Sequence, residues 1–144
     1  MRANEATSKI EPLFMSAPRT VLLAEDDEDT RNKLATELRK DGYRVVELED
    51  GMELVDYVEE AFAHPGKLAQ PDVIVSEVAM PGCGGLEACE RLHQIDQTTP
   101  VILLSAIDDF DTYEEADRVG AACVLTRPFN LDDLRDAVWS VASG

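Results

Sequence analysis

At 144 residues with 44% apolar side chains, the chain is long enough to bury one core and too short for two ordinary domains. Thirty acidic residues against 13 basic ones give a formal net charge of −17, which excludes nucleic acid and anionic membrane surfaces as natural partners of this domain. Partners are expected to be proteins, above all those with basic patches. Self-repulsion of this size also asks for dispersed carboxylates or a bound divalent cation.

Residues 1–18 show neither helical nor strand period and carry two prolines, so they read as a tail, with Ile10, Leu13, Phe14 and Met15 as its docking side chains, and residues 19–144 read as the domain. Apolar runs at 20–24, 44–48, 73–76, 101–105 and 122–126 are too short for helices and predict strands. Between them, 30–40, 51–63, 85–95, 112–119 and 131–142 carry apolar residues at helical spacing, such as Leu34 with Leu38 and Leu54, Val55 with Val58. Asp41-Gly42 closes the first helix, Pro71-Asp72 and Pro100 open strands, and Asn130 can cap the last helix. The three cysteines, Cys83, Cys89 and Cys123, form no CxxC and predict buried thiols in a reducing compartment rather than a disulfide framework or a zinc site. No apolar run approaches the ~20 residues of a membrane span, so a cytoplasmic location is expected.

Five βα units in alternation predict a three-layer αβα fold with a five-stranded parallel sheet. In an open parallel sheet, ligands bind beyond the carboxyl ends of the strands where their order reverses. With the flavodoxin-like order 2-1-3-4-5, the run Glu25-Asp26-Asp27-Glu28-Asp29, Glu77, Ser105 and Arg127-Pro128 converge on that edge. The last three acids of the run suit a solvated helix N-terminus, where carboxylates meet the macrodipole favourably.

The segments LLAEDDEDTR, IVSEVAMPGCGGLE, ILLSA and LTRPF, in this order over residues 19–143, resemble the receiver domain of two-component response regulators. The resemblance implies Mg²⁺ held by Glu25, Asp26, Glu77 and the backbone carbonyl of Ala79. It implies a hydroxyl switch at Ser105 with small Ala106 beside it, and a cis peptide at Arg127-Pro128, with Phe129 as core packing.

Three positions depart from the family pattern. Glu77 stands where the phosphorylated aspartate is expected, Arg127 where the lysine is, and Val124 where the family carries an aromatic rotamer switch. An extra methylene moves the carboxylate by about 1 Å, an error that can cost ~100-fold in an in-line attack. Arginine's planar fork suits bidentate carboxylate binding, so Glu77 and Arg127 are expected to pair across the phosphate site. Glu77 admits three readings: a built-in mimic of the phosphorylated state, a degenerate satisfied charge, or an introduced substitution.

Flavin chemistry lacks its phosphate loop, and a dehalogenase-like nucleophile pair lies out of place, so no enzyme is expected. His64 and His93 read as surface residues in polar surroundings without an acidic or cysteine partner. The expected function is a phosphorylation-independent or phosphomimetic signalling module that acts by protein–protein interaction. Its runner-up is a conventional receiver taking phosphate from a histidine kinase, and a third reading is a scaffold. The resemblance implies a sensor kinase or downstream target as partner, and an output or homodimer face on the last two helices and last strand, with Tyr113, Asp117, Leu131, Arg135 and Trp139 as contacts. Trp139 equally suits the core stripe of the last helix. Gly144 follows that helix closely, so output is expected by binding, or through an effector outside this sequence.

Overall fold

The computed structural model describes residues 18–143. The expected tail, with Ile10, Leu13, Phe14 and Met15, lies outside the described residues except for Pro18. Five strands, β1 (Thr20–Ala24), β2 (Arg44–Leu48), β3 (Val73–Glu77), β4 (Val101–Ser105) and β5 (Cys123–Thr126), form one parallel sheet in the order β2-β1-β3-β4-β5. Five helices alternate with them: α1 (Glu28–Lys40), α2 (Gly51–Ala63), α3 (Gly85–His93), α4 (Phe110–Arg118) and α5 (Leu131–Ser143).

Period-two alternation along the strands sorts the core into two layers. Val21 and Leu23, Val73 and Val75, and Ile102 and Leu104 face α1 and α5, packing on Leu34, Leu38, Leu134 and Val138. Leu22, Ile74, Val101 and Leu103 face the other way, onto Leu54, Val55 and Val58 of α2 and Ala88 and Leu92 of α3. Side chains of this size are worth roughly 1.5–3 kcal/mol each when buried, and both layers are needed because a parallel sheet has no solvated face.

The helix bounds differ from the apolar periodicity in an instructive way. Helix α1 begins at Glu28, two residues before the predicted start, because the Asp27 carboxylate accepts the Thr30 N–H (2.9 Å) and so caps the first turn. Asp109 caps α4 likewise through the Thr112 N–H (2.8 Å), which moves that helix to 110–118. Asn130 and Asp133 cap α5 reciprocally: Asn130 Oδ1 accepts the Asp133 N–H at 2.8 Å and Asp133 Oδ2 accepts the Asn130 N–H at 3.2 Å. Strand β3 runs one residue further than predicted, to Glu77, and so delivers that side chain from a rigid element. The chain order reverses between β1 and β3, and the crevice at their carboxyl ends is the place a site is expected.

Candidate functional site

Glu25 follows β1 directly and Glu77 ends β3, so two adjacent strands bring their carboxylates to one crevice, where they are 3% and 6% exposed. Arg127 reaches them from the end of β5. Its Nη1 donates to Glu77 Oε2 at 3.0 Å, and its Nη2 stands 2.7 Å from Glu77 Oε1 and 3.4 Å from Glu25 Oε1. The 2.7 Å approach lies off an N–H direction, so Glu77 Oε1 is buried without an aligned hydrogen bond. Both neighbours raise the Arg127 pKa further above its ordinary value, Glu77 more than Glu25.

Glu25 carries the electrostatic load of the crevice. Its Oε2 accepts the Asp27 N–H at 3.0 Å, and its backbone carbonyl accepts Arg31 Nη1 at 2.8 Å. Burial, opposed by that Asp27 N–H and reinforced by the Glu77 carboxylate, pushes its carboxyl up to about 7. Two buried acids facing one guanidinium leave a negative charge over, which adds to the burial that raises Glu25.

The remaining expected residues differ in burial and bonding. Asp26 is exposed and interacts with the Glu25 carboxyl through its side chain, and Ala79 and Ala106 are exposed too. Ser105 is buried at the end of β4, but its hydroxyl is spent on the turn that follows: it donates to the Ile107 carbonyl and accepts the Ile107 N–H, both at 3.0 Å. Val124 is half-buried against the core layer of α2 and α3, and the Arg127-Pro128 peptide is cis. Among the described residues no group of three or more His, Cys, Asp or Glu side chains is placed to hold a metal ion. With Arg127 Nη2 already between the two carboxylates, the arrangement does not fit a divalent ion.

Sequence reasoning passed over Gly84 and Gly85. A Cβ at Gly85 would stand 2.3 Å from the Glu77 carbonyl oxygen and one at Gly84 2.7 Å from that of Val78, so the pair lets the start of α3 close onto the site strand. The signal was present as the GCGG run after β3.

The expected interface set divides. Tyr113 and Asp117 line a groove of about 270 Å³ with Cys123 and Val124, on the α4–β5 side. Arg135 and Trp139 turn the other way, into a groove of about 380 Å³ with Asp41 and Tyr43, because the Arg135 fork grips both Asp41 oxygens at 2.8 Å. Trp139 is 68% exposed, which removes it from the core stripe. Leu131 lines a further groove, of about 550 Å³, with Lys33, Pro128 and Phe129. The histidines are not without partners: His64 Nδ1 lies 3.2 Å from Glu60 and His93 Nδ1 3.9 Å from Cys89, each one helical turn apart. Cys83 and Cys89 are buried as expected, whereas Cys123 is only half-buried.

A family model described as the response regulator receiver domain matches residues 21–139. The transcriptional regulatory protein PdtaR of Mycobacterium tuberculosis is 35% identical over 124 residues, 85% of this chain but 56% of the relative, so the chain spans about half of that protein's length. Sporulation initiation phosphotransferase F of Bacillus subtilis is 28% identical over 118 residues, 82% of this chain and 89% of its own. Among solved structures, the receiver domain of the sensor histidine kinase PA1611 from Pseudomonas aeruginosa, described with a magnesium ion in its active site cleft, superposes with a TM-score of 0.77. That match covers 89% of this chain and 100% of the neighbour at 23% identity. No helix among the described residues is long and apolar enough to cross a membrane.

Proposed function

Since this chain belongs to the response regulator receiver domain family, we propose that it is a two-component signalling module which works by protein–protein interaction without phosphoryl transfer to residue 77. One observation carries the reading: both nitrogens of the Arg127 fork lie on the two oxygens of Glu77, at 3.0 and 2.7 Å, across the place a phosphoryl group would take. A phosphoryl donor has to approach a free carboxylate oxygen in line, and here one oxygen is hydrogen-bonded and both are covered by a fixed cation. The missing aspartate adds a second obstacle, since the longer side chain misplaces its oxygen by about 1 Å.

The pair is also a poor copy of the phosphorylated state. A carboxylate carries one charge and two acceptor atoms where a phosphoryl group carries nearly two charges and three acceptors, and Arg127 cancels part of what Glu77 offers. The module is therefore held in one state rather than toggled, with Ser105 tied into its own turn and Val124 unable to act as an aromatic switch. Its partners are a sensor kinase or a downstream target, met on the α4–β5 groove, on the Trp139 groove, or through a second copy of the chain.

The test is intact mass after incubation with acetyl phosphate and Mg²⁺, beside a Glu77→Asp variant. Gain of a phosphoryl group by the aspartate variant alone supports a competent crevice closed by Glu77. Gain by neither leaves binding alone as the output. Labelling of the unaltered chain overturns the proposal in favour of a conventional receiver.

A further inference from the structure

Two carboxyl groups from neighbouring strands are buried side by side, and the positive group that reaches both is a single nitrogen. Arg127 Nη2 lies 2.7 Å from Glu77 Oε1 and 3.4 Å from Glu25 Oε1, with Nη1 donating to Glu77 Oε2 at 3.0 Å. Buried carboxylates persist only when bonded, protonated or paired, and a divalent ion touching both acids would need the space this nitrogen fills. A guanidinium cannot leave by losing its proton. The residue is anchored at its backbone, where the Arg127 main-chain N–H donates to the Ser105 carbonyl at 2.8 Å, and the guanidinium Cζ stands 5.6 Å from the centre of the Phe129 ring. Its departure would give up all three carboxylate contacts. Asp26, the next acid in the chain, is exposed and stands beside Glu25, whose carboxyl it helps push up, so removal of the guanidinium would leave acids alone in the crevice.

We infer that Arg127 is the resident cation of this crevice: its guanidinium takes the place of a divalent ion between Glu25 and Glu77, so that the domain keeps its site assembled without Mg²⁺. The inference rests on the functional reading above and deepens it, because a site that carries its own cation needs neither metal nor phosphate to stay in one state. It also makes residues 77 and 127 a matched pair. Lysine at 127 would bring one point charge instead of a fork, and it would leave room beside Glu25.

The experiment counts bound Mn²⁺ from the loss of its free-ion electron paramagnetic resonance signal, in enough potassium chloride to screen the surface carboxylates. The unaltered chain is expected to hold no stoichiometric ion. Arg127→Met should gain one equivalent, and Arg127→Met combined with Glu77→Gln should lose it again. Should Arg127→Met fail to fold, Arg127→Lys serves in its place with the same expectation. One equivalent bound to the unaltered chain and lost in Glu77→Gln overturns the inference, as does the failure of a folded Arg127 variant to gain an ion. The two readings fail separately: a chain that binds Mn²⁺ yet takes no phosphoryl group from acetyl phosphate sinks the cation assignment alone, whereas phosphoryl uptake at residue 77 sinks the functional reading.

Discussion

Replacing Arg127 by methionine keeps an unbranched apolar stem and removes the charge and the fork. Glu25 and Glu77, 3% and 6% exposed, then face each other with no cation. Breaking a fully buried ion pair by deleting one partner costs ~3–5 kcal/mol. The Arg127 side chain is 33% exposed, so water takes up part of that cost and about 2–3 kcal/mol is the expected loss. For a domain of this size that is a fall of roughly 8–12 °C in Tm. The loss depends on pH in a defined direction. Glu25 has its folded pKa raised to about 7 from an ordinary 4.5, so its ionisation weakens the fold as pH rises through that window, and the group costs nothing below it, where both folded and unfolded chains hold the proton. Without Arg127 the ionised pair is harder to hold, and the deficit of the variant should widen from about pH 5 to about pH 8. Urea or thermal unfolding at both ends of that range measures it, and a double-mutant cycle with Glu77→Gln should return a coupling of ~1–3 kcal/mol. A Tm within about 2 °C of the unaltered chain, or a deficit that narrows with rising pH, would refute the placement of Arg127 as the cation of a buried pair.

Other expectations follow from neighbouring features. Gly85→Ala sets a Cβ 2.3 Å from the Glu77 carbonyl, a contact that backbone has to yield to, so a loss above about 2 kcal/mol in urea unfolding is expected and a neutral result would show that α3 is not seated on the site strand. Cys89 is fully buried and its thiol is pushed up to about 11 by burial, so mass spectrometry should find it unalkylated by iodoacetamide in the folded protein and labelled only in denaturant; early labelling would mean that the α3 side of the core opens. Trp139→Ala should change stability by no more than ~0.5 kcal/mol because the ring is 68% exposed, and a larger loss by circular dichroism melting would return the residue to the core.

Most of the fold was legible because its signals are local. Runs such as VILLS can only be strands buried on both faces, and the acids before α1 and the Asn before α5 announce their caps. The pairing of Glu77 with Arg127 followed from chemistry that two known side chains share once β3 and β5 are neighbours of β4. Other features depended on direction, which spacing does not carry. Ser105 lies at its expected strand end, yet its hydroxyl finds both bonding partners two residues on, and nothing in ILLSA distinguishes that from a free switch. His64 and His93 looked partnerless, although Glu60 and Cys89 sit one helical turn before them.

The sequence by itself determined the order of elements, the two-sided core, and which residues reach the carboxyl edge of the sheet, since period and punctuation are properties of short segments. Only the tertiary structure decided how those residues share charge. Three ionisable groups from β1, β3 and β5, separated by 50 and 102 positions along the chain, settle as one guanidinium between two buried acids. The same packing sent Arg135 and Trp139 toward Asp41 and away from Tyr113. A helix residue's neighbour is fixed by which face of its helix the core has consumed, and Leu134 and Val138 consumed that face of α5.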